Sequence, residues 1–340
     1  MDKLHILAVN DGSTDNTGAI LSDYADKFAN IQVLEKENEG SKFAALNHAL
    51  KFVRTPFVGC LDADSFVTPM ALRNIMSEFH DSEVMSVIPT MIIHDPKNIL
   101  QYVQRVEYEI AILARRIFHI LDAIYITPGP FSFFRTRVFE EIGDYREAYG
   151  TEDCEIALRM QKYGMKIVHA RNAIVSTQGP STIMGLHRQR VRWTRGFISN
   201  AWDYRDILFN RSYGEVGFSV VPSGFLRLLL STIVIPFIFW SFLISVFLFL
   251  QELWWMGSQA LSVNVELASL IYNMQTLRVF LIVSLILMII FIFNGRLLIG
   301  KKNILTWDTP AMVLLYNVIS PLWAIESWYR ALVGKKAVWR

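Results

Sequence analysis

Charge is scarce in this chain. Asp, Glu, Lys and Arg make up 19% of its 340 residues, against roughly a quarter in an ordinary soluble domain. The scarcity is local: between Ser223 and Gly295 only Arg227, Glu252, Glu266 and Arg278 are charged. A soluble domain does not go so long without charge, whereas a membrane demands it. Cysteine is nearly absent. Cys60 and Cys154 form neither a disulfide framework nor a metal-spaced cluster, which fits a reducing compartment for the part that holds them. Neither sign of charge is in excess. The net charge of +2 leaves no electrostatic footprint for nucleic acid. A glycine-rich P-loop is missing, which excludes the usual ATP-driven chemistries. The few charges in the apolar part, such as Glu266 and Arg278, stand near segment ends rather than forming a relay, which excludes a transporter.

What is present divides in two. Up to about Arg211 the charge density is normal, and short apolar runs alternate with helical patterns. Strands are expected at Leu4 to Val9, Ile31 to Leu34, Phe57 to Leu61 and Val84 to Ile93. Helices are expected from Asn16 to Phe28, Ala44 to Phe52, Pro69 to Phe79 and Asn98 to Leu121. That alternation predicts an α/β fold with a mostly parallel sheet, whose ligands bind beyond the carboxyl ends of the strands. Asp11 and the pair Asp62 and Asp64 fall just past strand ends.

The expected organisation has three parts: an α/β domain over residues 1–181, a basic amphipathic helix region over 182–222, and a membrane region over 223–340. Phe225 to Leu250 and Leu277 to Ile299 each exceed the ~20 residues a spanning helix needs. Ala311 to Val333 carries Glu326 and Arg330 and is interrupted by Pro321, so it either spans or lies in the interface. Gln251 to Thr276 contains no Lys or Arg, while Lys301 and Lys302 follow the second segment. The positive-inside rule then places the α/β domain in the cytoplasm. Lys335, Lys336 and Arg340 also favour the inside, whereas three crossings would put them outside.

Several residue groups suit a chemistry, each with an ordinary alternative. Asp62-Ala63-Asp64 offers hard oxygen ligands for Mg²⁺ or Mn²⁺ shared with substrate phosphates, or is a solvated acidic turn. Asp11, in Asn10-Asp11-Gly12-Ser13, accepts from a nucleobase or sugar edge, or belongs to a turn before a cap at Ser13 or Asp15. Lys42, after Glu39-Gly40-Ser41, meets a diphosphate or is an exposed lysine. In Thr151-Glu152-Asp153, Thr151 suits a helix cap and the acids suit the helix dipole, which would lower their pKa; Asp153 alternatively serves as a general base. Gln189, Arg192 and Trp193 share one helical face. That face carries a phosphate site and a stacking ring, or a snorkelling arginine and an interfacial tryptophan.

In this order, with Gly129 between them and membrane helices after them, these residues resemble the membrane-bound, processive branch of the family 2 glycosyltransferases. That branch includes poly-N-acetylglucosamine, hyaluronan and cellulose synthases. The resemblance runs from about Leu4 to Gly196 and more loosely through the membrane segments. It implies a GT-A nucleotide-sugar fold and inverting, metal-dependent transfer from a UDP-sugar to a growing polysaccharide. By that resemblance Asp11, Lys42, Asp62 and Asp64 bind the donor, with Asp64 and Asp62 on the divalent metal (Mg²⁺ or Mn²⁺). Asp153 is the base, with Glu152 beside it. Gln189, Arg192 and Trp193 are the QxxRW signature for pyrophosphate and acceptor, and Gly129 lies in the acceptor-side segment. Two other readings are carried alongside: single transfer to a lipid-linked acceptor, and an inactive scaffold or fragment. Partners implied are membrane lipids of the cell membrane and the acceptor polysaccharide. Against the family pattern an earlier strand, ending in Pro-x-x-Asn-Glu, is missing. This predicts an open apolar edge at Leu4 to Val9 and a missing segment or an N-terminal partner.

Overall fold

A computed structural model describes residues 4–256, 275–301 and 306–334. Glu266, Lys302, Lys335, Lys336, Arg340 and most of the Gln251 to Thr276 loop lie outside the described residues.

The strand and helix alternation is built as the sequence pattern requires. It runs β1 (Ile6–Asp11), α1 (Thr17–Lys27), β2 (Ile31–Lys36), α2 (Lys42–Leu50), β3 (Phe57–Gly59), β4 (Ser65–Val67), α3 (Ala71–Glu78), β5 (Val84–Ile93) and α4 (Ile99–Ile120). Asp15, not Ser13, steadies the start of α1, accepting the Thr17 N–H at 3.0 Å. Asn98 caps α4 by accepting the Gln101 N–H at 3.0 Å, worth about 1 kcal/mol. The α4 residues Leu100, Val103, Val106 and Ile112 bury one stripe of the helix.

Beyond α4 come β6 (Phe133–Arg135), α5 (Arg137–Ile142), α6 (Glu152–Lys162), β7 (Lys166–Thr177) and α7 (Ile183–Asp203). Two sheets result. The first pairs β1 with β2 in parallel; the second has the order β3-β6-β5-β7-β4. The long β5–β7 ladder is parallel, as alternation predicts, while β3, β6 and β4 attach antiparallel. The pattern gave no sign of β4, β6 and β7. β4 and β6 have three residues each, and the apolar run of β7 is interrupted by His169, Arg171 and Asn172 where its register to β5 shifts. Among the described residues β1 pairs only with β2, and β3 only with β6. Leu4 and Ile6 are 39% and 42% exposed, so the apolar edge expected there is present. In the core of the second sheet Val87, Ile88, Ile156 and Ile167 are fully buried, each contributing about 1.5–3 kcal/mol.

The apolar part continues with α8 (Val221–Leu229), α9 (Ile235–Met256), α10 (Gln275–Leu298) and α11 (Asp308–Val333). π-helical turns at Val216–Val220 and Leu230–Val234 join the first of these into one rod. Among the described residues one helix, Val216–Phe237, is long and apolar enough to cross a membrane, with mean hydropathy 1.8; Leu285–Leu298 is a shorter apolar stretch. Pro321 does not break α11. The helix is held along its length against α4 and α7, so one lost backbone bond does not end it.

Two further expectations give way to packing. Thr151 precedes α6 but makes no side-chain cap; its hydroxyl donates to Ala148 O and accepts from Asn200 Nδ2 at 2.9 Å. The helix expected at an interface is α7, and it does not lie free. It buries Leu186, Val191, Phe197 and Ile198, and ties to α11 through His187–Glu326 at 2.6 Å.

Candidate active site

Lys42 opens α2 and reaches the end of β3, where its ammonium pairs with Asp62; Glu152 Oε1 stands 3.9 Å away. Three segments distant in sequence thus place one cation between two carboxylates. Burial opposes the Lys42 charge, but the surrounding Cys60, Asp62 and Glu152 together outweigh it and raise its pKa. Burial, opposed by Lys42 and aided by the charges of Asp62, Glu152 and Asp153, pushes the neighbouring Cys60 thiol up to about 12, so it stays protonated. Gly129 closes the far side. A Cβ there would collide with Lys42 Nζ and stand 3.3 Å from Asp62 Oδ2. Gly129→Ala therefore moves the lysine tip off Asp62. By the role the family resemblance gives Lys42, losing one charge-assisted hydrogen bond, about 1.5 kcal/mol, should weaken binding of a nucleoside diphosphate by about tenfold with folding unchanged by circular dichroism.

Glu152 and Asp153 begin α6. The helix N-terminus should lower their pKa values, yet both are raised. Burial is the main cause in each; for Glu152 the Asp153 charge adds to it, while Lys42 and Arg192 pull both back. Desolvation outweighs the dipole because this helix end lies inside the protein rather than in water. Asp153 is fixed in place. Its Oδ1 accepts the Cys154 N–H at 2.9 Å, and its backbone carbonyl accepts the N–H and hydroxyl of Thr127 at 3.1 and 3.0 Å. Thr127 begins the segment that carries Gly129, so the two sides of the site are stapled together.

Asp64 is exposed to the cavity, accepting from Ser65 Oγ at 3.1 Å and Thr177 Oγ1 at 3.4 Å. No three His, Cys, Asp or Glu side chains gather as a metal cage among the described residues. A magnesium-like ion needs only one or two carboxylates plus substrate phosphate oxygens. Asp64, with Asp62 behind it, fits that donor set. Asp11 ends β1 and lines the same cavity, but its ionic partner is Lys36 at 3.5 Å, not Lys42.

Gln189, Arg192 and Trp193 all face this cavity from α7. Arg192 Nη1 donates to Gly150 O at 2.8 Å, which tucks the turn before α6 against α7. Gly196, one turn on, permits the contact: a Cβ there would overlap the Thr151 side chain. The cavity has a volume of about 3500 Å³, several times the ~300–1,000 Å³ of a small-molecule site. It joins three spaces: the acidic cleft around Asp62 and Asp153, the gap bordered by Ile6 on β1 and Val58 on β3, and a passage past Ser231, Met288 and Tyr316 among the apolar helices.

Every residue singled out from the sequence thus lines one cavity, although Asp11 stands apart from the Lys42 cluster. Two residues escaped the sequence reading. Lys36 pairs with both Asp11 and Glu39, the latter at 2.7 Å. Its place at a strand end opposite Asp11 was the available signal. Arg190 is 4% exposed, carries no snorkelling charge, and its pairing depends on a helix far away in sequence.

Residues 1–143 match the family model described as Glycosyl transferase family 2, and the domain they build is a glycosyltransferase family 2 domain. The poly-beta-1,6-N-acetyl-D-glucosamine synthase of Staphylococcus aureus is 30% identical over 197 residues, covering 57% of this chain and 48% of its own. The synthase of the same name from Staphylococcus epidermidis is 28% identical over 193 residues, covering 56% and 47%. The chain spans about half the length of these curated relatives. Among solved structures, the mannosyltransferase PcManGT from Pyrobaculum calidifontis, in complex with GDP-Man and Mn²⁺, superposes with a TM-score of 0.53 at 18% identity, covering 95% of this chain and 79% of that one. That likeness is one of fold, and the fold is GT-A.

Proposed function

We propose that this chain is a membrane-embedded, inverting, metal-dependent glycosyltransferase that extends a polysaccharide from a UDP-sugar donor, with its catalytic domain in the cytoplasm. One observation carries the reading. The Lys42–Asp62–Glu152 cluster, Asp153 and the Gln189–Arg192–Trp193 face border a single cavity that continues among apolar helices. A single-transfer enzyme has no need of that passage; a chain-extending one does. The names of the staphylococcal relatives support N-acetylglucosamine as the sugar.

The residues divide the work by position. Asp153, half-buried and with its pKa raised, takes the proton from the attacking acceptor hydroxyl. The oxygen attacks the anomeric carbon as the diphosphate leaves from the opposite face, so the configuration inverts without a covalent intermediate. Lys42 and Arg192 supply positive charge where negative charge grows on the leaving diphosphate. Glu152 and Asp62 hold the Lys42 ammonium between them. Asp64 and Asp62 would hold the divalent ion, which offsets diphosphate charge when bound. Asp11 binds the nucleoside from the β1 end, and Trp193 offers a ring for the acceptor sugar.

The test is UDP and GDP release by membranes containing the chain, across a panel of nucleotide sugars with Mg²⁺, Mn²⁺ or a chelator. Release from one UDP-sugar, lost on chelation and accompanied by a long product, is expected. Release without chain growth would favour single transfer to a lipid; preference for a GDP-sugar would refute the donor assignment. The pH profile adds a second check. Asp153 must be ionised to act as base, so kcat/KM falls as pH drops through its raised pKa. The acid limb should therefore lie above the ~4 of an exposed aspartate. An acid limb at or below that value would remove Asp153 from the role.

A further inference from the structure

We propose that Glu107, Arg190 and Tyr316 form a clamp that sets the orientation of Trp193, and so positions the acceptor sugar against Asp153. The inference rests on the acceptor role given to Trp193 above, but its geometry stands independently. Arg190 lies one helical turn before Trp193 on α7, and its guanidinium sits over the indole with its centre 4.3 Å from the ring centroid. The arginine is itself held. Its Nη2 donates to Glu107 Oε2 on α4 at 2.5 Å, and its Nη1 donates to Gln189 Oε1 at 3.2 Å. Glu107 Oε2 also accepts the Tyr316 hydroxyl of α11 at 2.6 Å. A domain helix, the signature helix and an apolar helix therefore converge on one buried charge.

This arrangement does more than neutralise an arginine. An indole turns about two bonds, and a flat cation stacked on one face limits both. Trp193 still borders the cavity that Asp153 borders. A sugar stacked on the indole has its hydroxyl placed relative to the base by the ring's tilt, and small misplacement is costly in such geometry. Arg190, Glu107 and Tyr316 are positioning residues: none of them needs to touch the reacting atoms. Through Tyr316, the packing of α11 enters the acceptor site. That gives α11 a role whether or not it spans the membrane.

The test uses the whole chain in lipid nanodiscs, labelled with 5-fluorotryptophan, with Trp193→Phe identifying the Trp193 fluorine resonance. Arg190→Lys keeps the charge and removes the flat stack; Tyr316→Phe removes one hydrogen bond and should leave the fold intact. Both variants should shift or broaden the Trp193 resonance; among the other tryptophan lines only that of Trp323, whose ring packs against Tyr316 at 5.5 Å, should respond to Tyr316→Phe. With an N-acetylglucosamine oligosaccharide as acceptor, the acceptor KM should rise by about tenfold in Arg190→Lys and by a few-fold in Tyr316→Phe, the scale of one charged or neutral hydrogen bond. The donor KM should stay within about twofold of the parent, a change below the size of one hydrogen bond. An unmoved Trp193 resonance in both variants overturns the clamp. So does a parallel rise of donor and acceptor KM with a lowered melting temperature, which marks a merely structural contact. A parent protein that turns over no nucleotide sugar would refute the proposed function, while the fluorine spectrum would still decide the clamp.

Discussion

Asp153→Asn should lower sugar transfer by about 10²–10⁴-fold, the usual contribution of a general base, while donor binding changes little. The substitution is nearly isosteric. An asparagine Oδ1 keeps the bond from the Cys154 N–H, and the backbone bonds from Thr127 to residue 153 do not depend on its side chain. Only the capacity to take a proton is lost. Removing a half-buried negative charge also relieves the desolvation that raises the Asp153 pKa, so the fold should not suffer. Glu152→Gln is the informative control. Glu152 faces Lys42, so its loss should weaken donor binding more than the chemical step. The measurement is single-turnover transfer at saturating donor, with donor affinity taken separately by titration. Residual transfer within tenfold of the parent would exclude Asp153 as the base.

Asp308→Asn should destabilise the protein by about 3–5 kcal/mol, the range for breaking a buried ion pair at one partner. Asp308 starts α11, is fully buried, and accepts from Arg105, from Arg296 at 3.2 Å and from Thr306. Arg296 bridges on to Glu109 at 2.6 Å, which also receives Lys301 at 2.6 Å. Asparagine would leave Arg105, Arg296 and Lys301 facing a single carboxylate. The helices cannot part to admit water cheaply, because Gly295 lets the α10 backbone touch α4 at Glu109. The effect has a defined pH dependence. Burial works against the Asp308 charge, but bonds from Thr306 and Arg105 and the charge of Arg296 prevail and lower its pKa. Its contribution is present above the ordinary aspartate value and is lost as pH falls through the lowered one. Thermal unfolding in detergent should show a large gap between variant and parent at neutral pH that closes in acid. Equal melting temperatures at pH 7 would mean that this network holds nothing together.

The elements legible in the sequence were those whose cause is local. β5, from Val84 to Ile93, and α4 follow from an unbroken apolar run and from a 3.6-residue stripe behind the Asn98 cap. β6 and β4 were not legible, because three residues carry no period and their pairing partners are β3, β5 and β7. The candidate site was legible as a set of residue types in order: Asp11, Lys42, Asp62, Asp64, Gly129, Glu152, Asp153, Gln189, Arg192 and Trp193. Their protonation was not. A helix N-terminus read in isolation lowers the pKa of Asp153, and only the burial of that helix end reverses the direction.

The sequence by itself determined the division into a charged α/β part and an apolar helical part, the starts of most long elements, and the identity of the side chains that line the cavity. Each of these depends on neighbours a few residues apart, which the chain order already contains. The tertiary structure alone decided that Thr151 bonds Asn200 instead of capping α6, that Arg190 lies on Trp193, and that Glu109 and Arg296 meet across 187 residues. The reason is physical. A charge or hydroxyl is settled by what surrounds it once water is gone, and which groups surround it is set by how distant helices pack.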